Sequence, residues 1–254
     1  MFIDSHCHLD FPGLAENLPA VLELMRTNQV ERALCVSVTL EDFPKVLELA
    51  ETHAHLDASV GIHPDYEGAA AATVEELARL ARHPRVVAIG ETGLDYYRLK
   101  GDLEWQRERF RTHIRAAREC GKPLIVHTRE AADDTLRIMR EERAAEAGGV
   151  MHCFTETGAV ARAAMDLGFS ISFSGIVTFK NARALKEVAR MVPLESMLIE
   201  TDAPFLAPVP HRGKTNQPGY VRHVAEEIAR IRDVALAQVA QQTTDNYKRI
   251  FNIL

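Results

Sequence analysis

Six residues scattered along the chain carry side chains that divalent metal ions prefer: His6, His8, Glu91, His127, His152 and Asp202. Residues two apart in an extended chain point to the same side, so His6 and His8 can grip one ion while Cys7 points away. Glu91 has two oxygens and can bridge two ions, and His127 with His152 would complete the second. Asp202 would bind the first ion and accept a proton from a water held there, which makes Asp202 and Glu91 the catalytic candidates. Each piece alone has a bland reading. A lone His-x-His is often incidental, a single His at a strand end is usually a hydrogen-bonded core or surface residue, and Glu91 alone would serve to neutralise an arginine. The set resists that reading, because burying four imidazoles and two carboxylates together without a cation leaves costly unsatisfied groups. So much nitrogen suits Zn, Mn, Fe or Co; Ca wants only oxygen, and Mg is possible but poorly matched. Two divalent ions roughly 3.5–4 Å apart lower the pKa of a bridging water toward neutrality and clamp the group under attack.

Such residues need a scaffold that brings distant segments together, and the chain supplies one. Short apolar, β-branched segments at 2–4, 33–38, 58–61, 86–90, 124–126, 149–151, 170–173 and 197–199 read as strands. Between and after them, segments of helical period run over 14–28, 41–52, 74–82, 103–120, 131–145, 158–167, 182–191, 220–231 and 236–251. Thr73-Val-Glu-Glu76 and Thr39-Leu-Glu-Asp42 look like capping boxes, and Gly121 and Gly168 like helix stops. Strands separated by helices pair in parallel through right-handed crossovers. Eight such units predict an α/β fold, a (β/α)8 TIM barrel forming a single domain over 1–254. The metal candidates stand where strands stop: His6-Cys-His8 after the first, Glu91 after the fourth, His127 after the fifth, His152 after the sixth, Asp202 after the eighth. In a barrel these ends converge on one face, where active sites lie. The longest irregular segment, 203–218, is rich in Pro and follows the eighth strand, as a functional lid would.

Composition agrees. A chain of 254 residues, 46% hydrophobic and 26% charged, can bury a sizeable core. The first residues have no basic region followed by a long apolar stretch, no apolar run is long enough to span a membrane, and the four cysteines form no CxxC pair, so a cytoplasmic location with reduced thiols is expected. The net charge of −6 counts against broad, non-specific nucleic-acid binding but leaves room for a local basic patch. No oligomerisation signal is evident, which leaves a monomer as the default expectation.

The motifs Asp4-Ser-His-Cys-His8, Gly61-Ile-His-Pro64, Gly90-Glu-Thr-Gly-Leu-Asp95, Val126-His-Thr-Arg129, His152-Cys-Phe154 and Glu200-Thr-Asp-Ala-Pro204, in this order over essentially the whole chain, make the sequence resemble the TatD family of metal-dependent deoxyribonucleases. It is most like the YcfH-type branch, which keeps both N-terminal histidines. The resemblance implies an amidohydrolase-like barrel in which His6, His8, Glu91 and Asp202 hold one ion, and Glu91, His127 and His152 the other. It also implies hydrolysis of phosphodiesters in DNA or a short oligonucleotide, some members acting as 3′-to-5′ exonucleases. Other barrels of related architecture cleave amides or lactones and often bridge their ions with a carboxylated Lys at the end of the fourth strand. Here Glu91 has that place, which disfavours cyclic amides and leaves an aminoacyl-ester hydrolase as the alternative. A non-catalytic metal- or nucleic-acid-binding protein would need a lost catalytic residue, and none is lost.

His63, Arg129 and Arg212 are the substrate-binding candidates, as donors to a phosphate. Asp95 would orient a ligand or cap a turn, Tyr96 and Tyr97 would stack on a base or pack on a helix, and Cys153 reads as packing. His53, His55, His83 and His113 read as surface residues, while Trp105 and Phe110 fit a helix packing face. Arg98, Lys100, Arg129, Lys180, Arg212 and Lys214 all follow strands four to eight, whereas acids crowd the loops of the first half, so a basic half-rim is expected.

Overall fold

Pro19 and Pro44 fix where the first two helices begin. Proline lacks an N–H and is accepted only in a helix's first turn, so α1 starts at Leu18, after a short 3-10 turn, and α2 at Phe43; both are later than the periodicity alone suggests. The computed structural model describes residues 1–253. Within them the strands are β1 (Phe2–Cys7), β2 (Val30–Cys35), β3 (Leu56–Val60), β4 (Val86–Asp95), β5 (Leu124–Arg129), β6 (Gly149–Met151), β7 (Phe169–Phe173) and β8 (Met197–Ile199). The helices are α1 (Leu18–Thr27), α2 (Phe43–Thr52), α3 (Val74–Ala81), α4 (Glu104–Cys120), α5 (Ala132–Glu141), α6 (Gly158–Asp166), α7 (Arg183–Met191), α8 (Val221–Arg232) and α9 (Leu236–Ile250). All eight strands pair in parallel, in chain order. The ring is drawn together just past β8, where the Asp202 N–H donates to the His6 carbonyl (2.9 Å) and the His8 N–H to the Ala203 carbonyl (2.8 Å). The fold is the expected α/β barrel.

Two apolar layers hold it. Ile3, Leu34, Val36, Ile125, Val150 and Leu198 form an inner layer closed by Tyr247 of α9 and by Phe251 just after it. The larger layer packs the outer strand faces against the helices. Thr73 caps α3 as expected, its Oγ1 accepting the Glu76 N–H at 3.1 Å. Thr39 caps a turn one step earlier: Oγ1 takes the Asp42 N–H at 3.1 Å before α2 begins.

Two bulges aim residues of the site. Between Asp4 and Cys7, β1 advances three residues while β2 advances two. An unbroken strand would put Ile3 and Cys7 on one face; here Ile3 lies in the inner layer and Cys7 in the outer one, so His6 and His8 take the inward places. The second bulge lies between Ile89 and Thr92 on β4 and carries Glu91. Beyond it the strand continues to Asp95, five residues further than expected, because Gly93 (φ 135°) lets β4 close on β5; a Cβ there would lie 2.0 Å from the His127 carbonyl oxygen.

Candidate metal centre

The site is organised around one carboxylate. Glu91 is buried, and its two oxygens face two different groups of ligand-type atoms. Oε2 lies 3.2 Å from His6 Nε2 and 3.9 Å from His8 Nε2, and Asp202 Oδ1 is 3.8 and 3.4 Å from the same two nitrogens. Oε1 lies 2.9 Å from His152 Nε2, 3.1 Å from His127 Nδ1 and 3.2 Å from His63 Nε2. Three overlapping sets, His6–His8–Glu91, His6–His152–Asp202 and His63–Glu91–His127, each keep their ligand atoms within 4.8 Å of one another. The rings are packed as well as aimed: His6 stacks on His152 with centroids 3.8 Å apart.

The outward nitrogens decide what these rings can bind. His8 Nδ1 donates to the Val36 carbonyl (3.0 Å), His127 Nε2 to Asp95 (3.2 Å), His152 Nδ1 to Glu200 (3.0 Å) and His63 Nδ1 to Asp65. A neutral imidazole carries one N–H, so with those donors committed outward, each ring turns a lone pair toward the oxygens of Glu91 and Asp202. Lone pairs facing lone pairs repel unless positive charge, a cation's or in its absence a ring proton's, lies between them. His6 sharpens the point: its buried Nδ1 has no hydrogen-bond partner, and its Nε2 sits 3.3 Å from His8 Nε2. The donor set therefore fits divalent cations of the nitrogen-accepting kind, with the outer acids setting ring orientation.

Charge and burial compete strongly here. Burial pushes the Glu91 carboxyl up, but His152, His63 and His6 outweigh it and hold it well below the usual range. Burial pushes His152 down, while Glu91 and Glu200 more than reverse this. His63 reaches about 9 in the same way, through Glu91 and Asp65. Asp95 falls to about 2 despite burial, held by the His127 hydrogen bond and the N–H groups of Arg98 and Tyr97. His6 moves down, through burial and the neighbouring His152.

The six metal candidates are thus gathered at one place, at the strand ends where the sequence puts them. Cys7 points away, its thiol donating to the Leu34 carbonyl. Asp202, at φ 57°, occupies the left-handed region that Asp tolerates better than most residues. It lines the open cavity, whereas His6 is fully buried beneath. His63, expected as a phosphate donor, instead turns its Nε2 to Glu91 as a further ligand-type atom. Asp95 fills both roles considered for it, accepting from His127 through Oδ2 and from the Tyr97 and Arg98 N–H groups through Oδ1.

The basic half-rim is narrower than expected. A cavity of about 550 Å³ opens over the centre, and Arg98 and Arg129 line it. Arg98 pairs with Asp65 (3.0 Å), while Arg129 lies over the Tyr97 ring (3.8 Å) and has no acidic partner among the described residues. Arg212 is not brought to the site: its guanidinium rests on Phe179 (3.6 Å) outside the cavity lining, and Lys214 and Lys180 also stay outside. Asn216 ties the end of the 203–218 segment to its start, Nδ2 donating to the Thr201 and Phe205 carbonyls, and from this segment Phe205 and Leu206 line the cavity. Tyr96 packs, its hydroxyl donating to Asp134 (2.7 Å). His113 is a further correction: it is buried, not on the surface, with Nδ1 donating to the Arg109 carbonyl and Nε2 accepting the Ile62 N–H.

Four supporting groups go unassigned in the sequence. Glu200 accepts from His152 and from the Cys153 N–H (2.7 Å). Asp4 accepts the Thr201 N–H (2.8 Å) and the His6 N–H (3.3 Å), joining the first strand to the segment after the last. Asp65 and the Val36 carbonyl orient His63 and His8. The one signal is an acid inside or closing an apolar strand, as in Met197-Leu-Ile-Glu200, which cannot stay buried without donors.

Comparison with known proteins agrees with this centre. The family model described as TatD related DNase matches residues 3–252. An uncharacterized metal-dependent hydrolase of Escherichia coli K12, YcfH, is 48% identical over 99% of this chain and 96% of its own length. YabD of Bacillus subtilis, another uncharacterized metal-dependent hydrolase, is 42% identical with both chains fully covered. Among solved structures, YJJV, a TatD homolog from Escherichia coli K12, superposes with a TM-score of 0.92 at 30% identity, covering 100% of this chain and 98% of that one.

Proposed function

Because the chain belongs to the TatD family of metal-dependent hydrolases, we propose that it cleaves phosphodiester bonds in DNA and removes nucleotides from the 3′ end. The observation that carries this reading is Glu91, whose two oxygens each face a separate group of imidazoles, so that two cations can stand side by side under one cavity. His6, His8, Glu91 and Asp202 would hold one, and Glu91, His127 and His152, with His63 beside them, the other. Divalent ions bound there supply charge to stabilise phosphoryl oxygens and lower the pKa of a water to near neutrality. The chain's own groups do the rest. Asp202 Oδ1, at the cavity floor, takes the proton from the attacking water. Arg129, braced on Tyr97 and without an acidic partner, binds a non-bridging phosphate oxygen. Asp95, Glu200 and Asp65 keep the imidazoles aimed.

The test uses DNA single strands labelled at either end, incubated with metal-free protein and then with Mn, Zn, Co or Mg in turn. Stepwise loss from the 3′ end that needs metal and is abolished in Glu91→Gln is the expected result. Cleavage from the 5′ end would refute the polarity. No cleavage with any ion, in protein that still binds metal, would refute the nuclease reading and favour a carboxylic ester such as an aminoacyl ester.

A further inference from the structure

Five large apolar side chains are well exposed among the described residues: Met1, Tyr66, Tyr97, Phe205 and Val209. Single exposed apolar residues are ordinary, but the three aromatic ones gather at the mouth of the same cavity. Tyr66 (39% exposed) and Phe205 (52% exposed) line it directly, and Tyr97 lies beneath Arg129, which lines it. Tyr66 and Phe205 are also distributed one to each half of the centre. Phe205, following β8, stands 6.5 Å from the His8 ring, and Tyr66, following β3, stands 6.1 Å from the His63 ring (centroid distances).

Both residues are anchored through their backbones. The Phe205 N–H donates to the Asp202 carbonyl (2.9 Å), its carbonyl accepts from Asn216 Nδ2, and Phe11 meets its ring edge to face at 6.0 Å. The Tyr66 N–H donates to the His63 carbonyl (3.3 Å), and its own carbonyl accepts from Arg109 Nη1 (2.8 Å). A phosphodiester at Glu91 carries one nucleoside on each ester oxygen, and each half of the centre has one exposed aromatic ring on an anchored backbone beside it. We propose that Phe205 and Tyr66 are stacking stations for the two nucleobases that flank the bond being cut. Arg129 holds the backbone while the rings read only that a flat base is present, so sequence preference is weak.

This inference rests on the phosphodiesterase reading, and the experiment separates the two. Trinucleotides with hydrolysis-resistant phosphorothioate linkages, one carrying 2-aminopurine bases and one abasic, are titrated into the metal-loaded protein, with emission and anisotropy as readouts. Stacking on an aromatic ring is worth about 1–3 kcal/mol per base, so with two stations the base-bearing strand should bind at least about 30-fold tighter and its emission should be quenched. Phe205→Ala and Tyr66→Ala should each remove about 10-fold of that preference, and Phe205→Trp should restore it. Both rings are exposed, so these truncations leave the core intact. Equal affinity for base-bearing and abasic strands would overturn the stacking stations while leaving the nuclease standing. Binding of neither strand would overturn both.

Discussion

Glu200 offers a test of whether the two halves of the centre are separately built. Its Oε1 takes two donors, His152 Nδ1 (3.0 Å) and the Cys153 N–H (2.7 Å), and the residue is 1% exposed. Glu200→Gln keeps the shape and one acceptor oxygen but removes the charge. A hydrogen bond to a charged group is worth about 1.5–3 kcal/mol against about 0.5–1.5 for a neutral one, so the loss is about 1–1.5 kcal/mol. That is about a 10-fold drop in affinity, in keeping with the effect of other residues that orient metal-binding histidines. The drop should fall on the ion beside His152, His127 and His63, because Glu200 accepts no hydrogen bond from His8 or Asp202. Competition titration with a calibrated chelator on metal-free protein should therefore show one class of site weakened about 10-fold and the other within error of the parent. Glu200→Ala should cost more, about 2–6 kcal/mol of stability, because two buried donors lose their acceptor. If Glu200→Gln left both affinities unchanged in protein that melts normally, His152 would not depend on this acid. If both affinities fell together, the centre would be one unit and the division at Glu91 would be wrong.

Acid sensitivity should trace in part to His113. Burial lowers it from 6.5 to about 4, with the Arg109 guanidinium as the charged group facing it. A buried neutral histidine takes up a proton more readily once unfolded, so its contribution is complete above pH 6.5 and is lost as the pH falls toward 4. A tenfold change in proton affinity corresponds to about 1.4 kcal/mol, so roughly 2 kcal/mol should vanish between about pH 7.5 and 5. Urea unfolding at several pH values should show His113→Gln converging on the parent as the pH falls, and a constant gap would contradict it. Metal removal should lower stability too: with free ion at about 100 times its dissociation constant, linkage gives about 2.7 kcal/mol. Chelation should reduce Tm by several degrees and raise amide exchange first at residues 4–8 and 200–203, where Asp4, His6 and Asp202 join the first strand to the segment after the last; uniform exchange across the barrel would argue against that coupling.

The residues that end strands are legible because two periodicities, of strand and helix, fix both the barrel and which end of each strand faces the site. His6, His8, Glu91, His127, His152 and Asp202 need nothing more. The bulges that aim His6 and Glu91 are not legible, since an extra residue in a strand leaves no mark in its composition. Glu200 and Asp65 escape assignment because a supporting acid is defined by the donor it meets, and that donor lies on another strand or loop position. Arg212 looks like a rim cation by its place after β8, but Phe179 holds its guanidinium outside the cavity lining. His113 differs, because its burial does have a signal in the sequence. It falls three residues after Phe110 and one before Ile114, on the buried face of α4.

The centre also does structural work at the point where the barrel closes. β8 is three residues long and ends at Ile199, and no ladder of its own joins it to β1. The junction is made instead by the segments that carry ligands: Asp202 N–H to the His6 carbonyl, His8 N–H to the Ala203 carbonyl, and Asp4 to Thr201. A cation held between His6, His8 and Asp202 would therefore tie the first strand to the last, residues nearly 200 positions apart. Closing the fold and assembling this half of the site become one event, because His6 and His8 meet Asp202 only when the first strand meets the segment after the last. It follows that substitutions at the seam cannot be read as purely catalytic or purely structural. Loss of Asp4, which touches no cavity, should disturb His6 and Asp202 together, since it holds the N–H groups on both sides of that junction.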